Sequence, residues 1–259
     1  MSGNTIQWMD AIFRWAHVLA GVMWIGHLWF FNFVNGQVAK TYDAESKQKV
    51  APELMPRALY WFRWGALYTW VTGLLLLGVV YYMGAVLLKD GAGIGKGAAA
   101  GIGIGSLVVG WIIYDLLWKA LAAKQEVGVI ISLVLVAAAG FALSQWFGVR
   151  GTAIHVAAIM GTCMFLNVWM RIWPAQRRII KAIKEGGTPP ASDGPLAGLR
   201  SKHNTYMSVP LIFLMLNFHT NITFGFDPPW LFITLWVVVG FALTKLFYVK
   251  AASEAPKFY

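Results

Sequence analysis

The chain has 259 residues, of which 58% are hydrophobic and 12% charged, with 14 tryptophans and 16 phenylalanines. Soluble domains carry roughly 25% charged residues, so the composition excludes an ordinary water-soluble fold and predicts a membrane protein. The net charge of +10 does not argue for nucleic acid, because the basic residues gather on one side of the apolar segments.

Apolar stretches of about 20 residues, the length that crosses a bilayer core as a helix, recur at about 8–35, 58–86, 102–122, 126–147, 151–173, 204–220 and 229–250. The expected fold is therefore all-α: one integral-membrane domain over 1–259, a polytopic bundle of seven transmembrane helices. The first stretch has no basic leader and outruns the apolar core of a signal peptide. With seven spans, Lys40, Lys47, Lys49, Arg57, Lys119 and Lys124 share a side with the basic residues of the loop 174–203 and of the C-terminus. Lys89, Lys96 and Arg150 face the other. The positive-inside rule makes the first side cytoplasmic. The N-terminus is then outside and the C-terminus inside, in a bacterial-type inner (cytoplasmic) membrane.

Two tempting motifs carry little. In "GAGIGKGAAAGIGIG", 91–105, a phosphate loop would need Ser or Thr after Lys96; Gly97 stands there. The Gly101/Gly105 spacing reads as close helix packing. Cys163 is the only cysteine, which excludes an intrachain disulfide and a CxxCH heme attachment. The long loop begins with "PAQRRIIKAIKEGG", whose pattern suits a helix at a membrane surface, and continues through a Pro/Gly-rich segment.

Topology turns sequence position into depth, at about 1.5 Å per helical residue. His17, His155 and His219 then fall in the outer half on three different helices, as axial heme ligands in a bundle core would. Arg14, one turn from His17, suits a propionate. His27 and His203 fall near the inner surface. There Arg200, Lys202, His203, Asn204, Thr205 and Tyr206 open the sixth span, with Trp61 and Arg63 on the second and Tyr114 and Asp115 on the third. Imidazole titrates near neutrality, and a helix start favours an anion. The expectation is a polar, aromatic-walled pocket for a planar anion, bound by Arg200, Arg63 and Trp61.

The stretches "RWAHVLAGVMWIG", "WFRWGALYTWVTG", "GWIIYDL", "HVAAIMGTCMFLNVWMRIWPAQRRII" and "KHNTYMSVPLIFLMLNFH" resemble the membrane domain of the cytochrome-c-linked urate oxidase (urate hydroxylase) family. The resemblance implies oxidation of urate to 5-hydroxyisourate on the cytoplasmic side, with electrons passing through heme b to a cytochrome c. It marks His17, His155, Asn167, Gln176, His203, Asn204, Thr205, Tyr206 and His219, with His203 as the expected base. Full-length members continue into an eighth helix and a cytochrome c domain, whereas this sequence ends at Tyr259. A separate cytochrome c or quinone is thus the expected acceptor. The competing expectation is a non-catalytic heme-b anchor or relay subunit of a larger respiratory or dehydrogenase complex.

Overall fold

The computed structural model describes residues 3–84, 86–217 and 228–253. Its long helices are α1 (Gly3–Val38), α2 (Ala44–Tyr82), α3 (Lys96–Ala120), α4 (Gln125–Ser144), α5 (Val149–Lys184), α6 (Asp193–Asn217) and α7 (Pro229–Ala252). Among the described residues there is no strand, only one isolated bridge, Leu88 to Phe147, that ties the α2–α3 and α4–α5 connections together. All of the long helices except α6 are long and apolar enough to cross a membrane, six in total, as in a multi-pass membrane protein.

Helix limits differ from the apolar segments for physical reasons. α2 begins at Ala44 rather than 58 because Asp43 caps it, its Oδ1 accepting from the Ser46 backbone N–H at 2.7 Å; Pro52 and Pro56 hide this polar opening in the sequence. α5 runs on to Lys184, so the basic amphipathic stretch continues a spanning helix. α6 starts at Asp193, well before 204. There the buried Asp193 carboxylate takes two hydrogen bonds from Arg178, at 2.6 and 2.7 Å, and fastens α6 to the end of α5.

Wide, five-residue-spaced turns interrupt three helices: Phe30–Asn35 in α1, Leu77–Tyr82 at the end of α2 and Val168–Ile172 in α5. Such turns often occur at functional positions, and these carry Asn32 and Asn35, Tyr82, and Arg171.

α5 is the central helix, buried along most of its length. Inside a bilayer apolar helices gain little from leaving lipid, so close packing at small residues has to hold them. Gly103 of α3 faces His155 so tightly that a Cβ would lie 2.5 Å from its Nε2. Pro210, which removes a backbone donor inside α6, seats against Gly240 of α7, where a Cβ would lie 2.6 Å from the ring.

Candidate functional site

Among the described residues, the largest fully buried side chain is Arg200, 1% exposed. A buried guanidinium needs a counter-charge and acceptors. Asp115 of α3 supplies both, its Oδ1 accepting from Arg200 Nη2 at 2.9 Å. The same carboxylate receives Arg171 Nε at 3.0 Å and Lys119 Nζ at 2.9 Å. Arg171 lies within the wide turn that follows Asn167 on α5. Arg200 therefore serves the fold here rather than holding a substrate, as the sequence had suggested.

A chain of carboxamides continues from this ion cluster, and its direction can be worked out. Asn204 Nδ2 donates to the Met164 carbonyl at 2.9 Å, so its Oδ1 is the acceptor for Asn167 Nδ2 at 2.8 Å. Asn167 Nδ2 also donates to Tyr114 Oη at 2.7 Å, and its Oδ1 faces Arg200. With that oxygen accepting, the Tyr114 hydroxyl proton is free to donate to His203 Nδ1, 3.0 Å away. Neutral imidazole carries one proton, so it sits on Nε2. This changes the expected role of His203: fixed in this tautomer, it offers an N–H donor rather than a free basic nitrogen.

His203 lies on the Trp118 ring, centroids 3.9 Å apart. Both line a cavity of about 1140 Å³ bounded by α3, α4, α5, α6 and α7. Its walls are almost wholly apolar from Ile102 to Leu117 on α3 and from Val129 to Leu143 on α4. Polar groups gather at one end: His203, Ser132 (which accepts from Trp118 Nε1 at 3.2 Å), Gln125, Glu126, Lys202 and Lys245. Tyr206 also lines it, stacked on Tyr248 of α7. Thr205 is buried, and its hydroxyl donates to the Ser201 carbonyl at 3.0 Å.

On the opposite face of α6 is a smaller recess of about 340 Å³ between α1, α2, α5 and α6. Phe31 and Phe62, packed edge to face, form its apolar wall. Asn32, Asn35, Gln37, Gln176 and Ser201 supply polar groups, Lys40 a cation, and no acidic residue lines it. Asn32 is fully engaged, donating to Leu28 O and Ser201 Oγ and accepting from Tyr248 Oη, each at 2.9 Å. The Gln176 carboxamide and Asn35 Oδ1 have no hydrogen-bond partner among the described residues. The wide turn in α1 carries both asparagines. Of this recess the sequence had signalled only Gln176.

The remaining expected residues lie elsewhere. Trp61 is 52% exposed on the outer face of α2. Arg63 stacks over Trp173, 4.0 Å from the ring centroid, with Trp169 alongside. Arg14 pairs with Asp10 one turn away, on the surface. His219 lies outside the described residues.

Heme b, which the resemblance implies, can be tested against the two described histidines. His17 Nδ1 donates to the Thr69 carbonyl at 2.8 Å, which would leave Nε2 for a metal. His155 has both nitrogens in use: Nδ1 donates to Gly151 O at 2.7 Å and Nε2 accepts from Tyr82 Oη at 2.9 Å. His17 also packs on Gly73, whereas His155 meets Tyr82, about 13 Å further along α2. Metal–imidazole bonds are about 2 Å long. The pair therefore does not fit one heme iron, and no step below is routed through heme.

The fold and these clusters describe an all-helical protein of the multi-pass membrane type with buried polar groups at one end. The profile of the family described as Urate oxidase N-terminal matches residues 41–259, and the chain belongs to that family. No curated protein and no solved structure matched it.

Proposed function

We propose that the protein oxidises urate to 5-hydroxyisourate at the recess between α1, α2, α5 and α6, and passes the electrons to an acceptor outside the chain. The observation that carries this reading is the recess: walled on one side by Phe31 and Phe62, free of carboxylates, and lined by two carboxamides with hydrogen-bonding capacity to spare, Gln176 and the Oδ1 of Asn35. Urate is a planar anion whose edges alternate N–H donors and C=O acceptors. A carboxamide presents the complementary pair, and Lys40 supplies a favourable charge.

The reaction needs no strong base, because urate enters already deprotonated. Loss of two electrons, addition of water at C5 and release of two protons give the product. On the positive-inside rule the basic loops favour a cytoplasmic position for this end, a reading that counts α6 as a crossing beside the six apolar helices.

The test is urate binding and turnover by the purified full chain, with ferricyanide, cytochrome c or decylubiquinone as acceptor. Gln176→Glu, which sets a carboxylate against the anion, is expected to raise the apparent urate Kd by roughly tenfold or more, as about 1–4 kcal/mol of like-charge repulsion would. Wild-type affinity in that variant, or no urate consumption with any acceptor, overturns the reading.

A further inference from the structure

The large cavity lies on the other side of α6 from the recess, and its chemistry is different. We infer that the cavity between α3 and α4 binds an isoprenoid quinone from the bilayer, its ring against Trp118 and one carbonyl accepting from His203 Nε2–H. The inference rests on the urate reading only for what supplies the electrons; quinone binding itself does not depend on it.

Three observations lead there. The cavity is elongated, since its α3 wall from Ile102 to Trp118 spans about 24 Å of helix, and it is apolar for nearly all of that length. It borders the outward faces of α3 and α4, where Val108, Ile112, Leu116, Ile130 and Val134 are exposed, so an apolar ligand reaches it from lipid without crossing water. At its far end, the directed chain Asn204–Asn167–Tyr114 leaves the proton of His203 on Nε2. That donor stands where the apolar slot meets its polar end, beside the Trp118 ring, and is open to an acceptor.

A flat ring with carbonyl oxygens and a long hydrocarbon tail meets each feature. A phospholipid would fill the slot with its acyl chains but place no carbonyl-bearing ring on Trp118.

The redox step balances. The urate anion and water give the 5-hydroxyisourate anion, two electrons and two protons; the quinone takes up two electrons and two protons and becomes the quinol. The two ligands sit on opposite faces of α6, about one helix diameter or 10 Å apart. As the quinone oxygen gains charge, His203 can give up its Nε2 proton while Nδ1 takes the proton of Tyr114. The resulting phenolate faces the Asn167 N–H and the Arg200 guanidinium, which lies 5.2 Å from the ring centroid, until a proton from the urate reaction restores it.

The experiment uses the full chain in phosphatidylcholine nanodiscs and an azido-benzoquinone with a prenyl tail as photolabel. Labelled peptides are mapped by mass spectrometry, with and without excess decylubiquinone. Expected is label within 102–118 and 129–143 that the competitor removes. Ala139→Phe and Val136→Phe, which fill the slot, should lower labelling about tenfold or more, while Val134→Phe on the outward face keeps it. Elution volume and melting temperature report whether each variant is folded.

Label scattered over outward faces, insensitivity to the competitor or cross-linking to phospholipid alone overturns the quinone site. So does labelling of both folded filler variants at the wild-type level. Competable label in the slot without urate consumption by any acceptor leaves the quinone site standing and sinks the urate reading. Urate turnover with ferricyanide but no competable label does the reverse.

Discussion

Where α3 meets α5 and α6, charged and amide groups fill the space between helices; where the same helix meets α4, it leaves a slot of about 1140 Å³. The first region contains Arg171, Asp115, Arg200, Asn167 and Asn204, each tied to the next. The second offers its ligand a ring, a donor and apolar walls. The contrast separates two uses of polar residues in a bundle. Groups locked to one another fix helix positions, and the last member of the chain, His203, carries the orientation of that lock into the cavity.

The comparison breaks most visibly at Asp115. Asp115→Ala removes the counter-charge of the buried Arg200, and leaving such a charge unpaired costs about 3–5 kcal/mol. Thermal melts in detergent should show a large loss of stability, and turnover should fall with the folded fraction. A melt like the wild type's would mean that the cluster holds nothing together.

His203→Phe tests the other side. It removes the one donor aimed at the proposed acceptor, an interaction of about 1–2 kcal/mol, while the ring can still rest on Trp118. The expected result is a higher KM for decylubiquinone, with a melting temperature lowered only by the roughly 1 kcal/mol that the Tyr114 hydroxyl loses with its acceptor. Unaltered kinetics would remove His203 from the cavity's chemistry.

These expectations also show how far the sequence could be read. The helical membrane class followed from apolar length and low charge, and the polar helix end from "RSKHNTY". Partner identity did not follow. Asp115 pairs with Lys119 one turn away, and it also receives Arg171 and Arg200 from two other helices. The wide turns in α1 and α5 shift register in ways that an even helical repeat hides, so Asn32 and Asn35 had no signal. Depth placed His17 and His155 in the same half of the membrane, but depth carries no information about which nitrogen is already in use. Tyr82 settles that for His155 through an interaction across 73 positions.

Tyr114→Phe sharpens the link between the two regions. The hydroxyl joins the amide chain to His203, so its loss should cost about 1 kcal/mol of stability. The kinetic effect should be distinct from that of lost packing. Without the phenol, Nδ1 is free to take the proton, and a fraction of the imidazole presents a bare Nε2 to the slot. Nitrogen-15 chemical shifts of the labelled imidazole would read the tautomer directly. A predominantly Nε2–H ring in the wild type that becomes mixed in Tyr114→Phe is the expected outcome, and a mixed ring in both would show that the amide chain does not set it.

The smallest effect is expected at Asp193, outside the spanning segments, where the hydrogen bonds from Arg178 hold the carboxyl below its ordinary range. A carboxylate with a depressed pKa in the folded state contributes stability that is complete above its unfolded value, about 3.9, and is lost as pH falls through the folded value. Melting temperature should therefore be insensitive to this pair at neutral pH and decline as acid protonates it. Asp193→Asn keeps the shape but not the charge, so it should lower the melt slightly at pH 7 and flatten the decline at acid pH. An acid decline identical in the two proteins would assign the pH dependence to other carboxylates, of which the Asp43 cap, also held below its ordinary range by the Ser46 N–H, is the next to change.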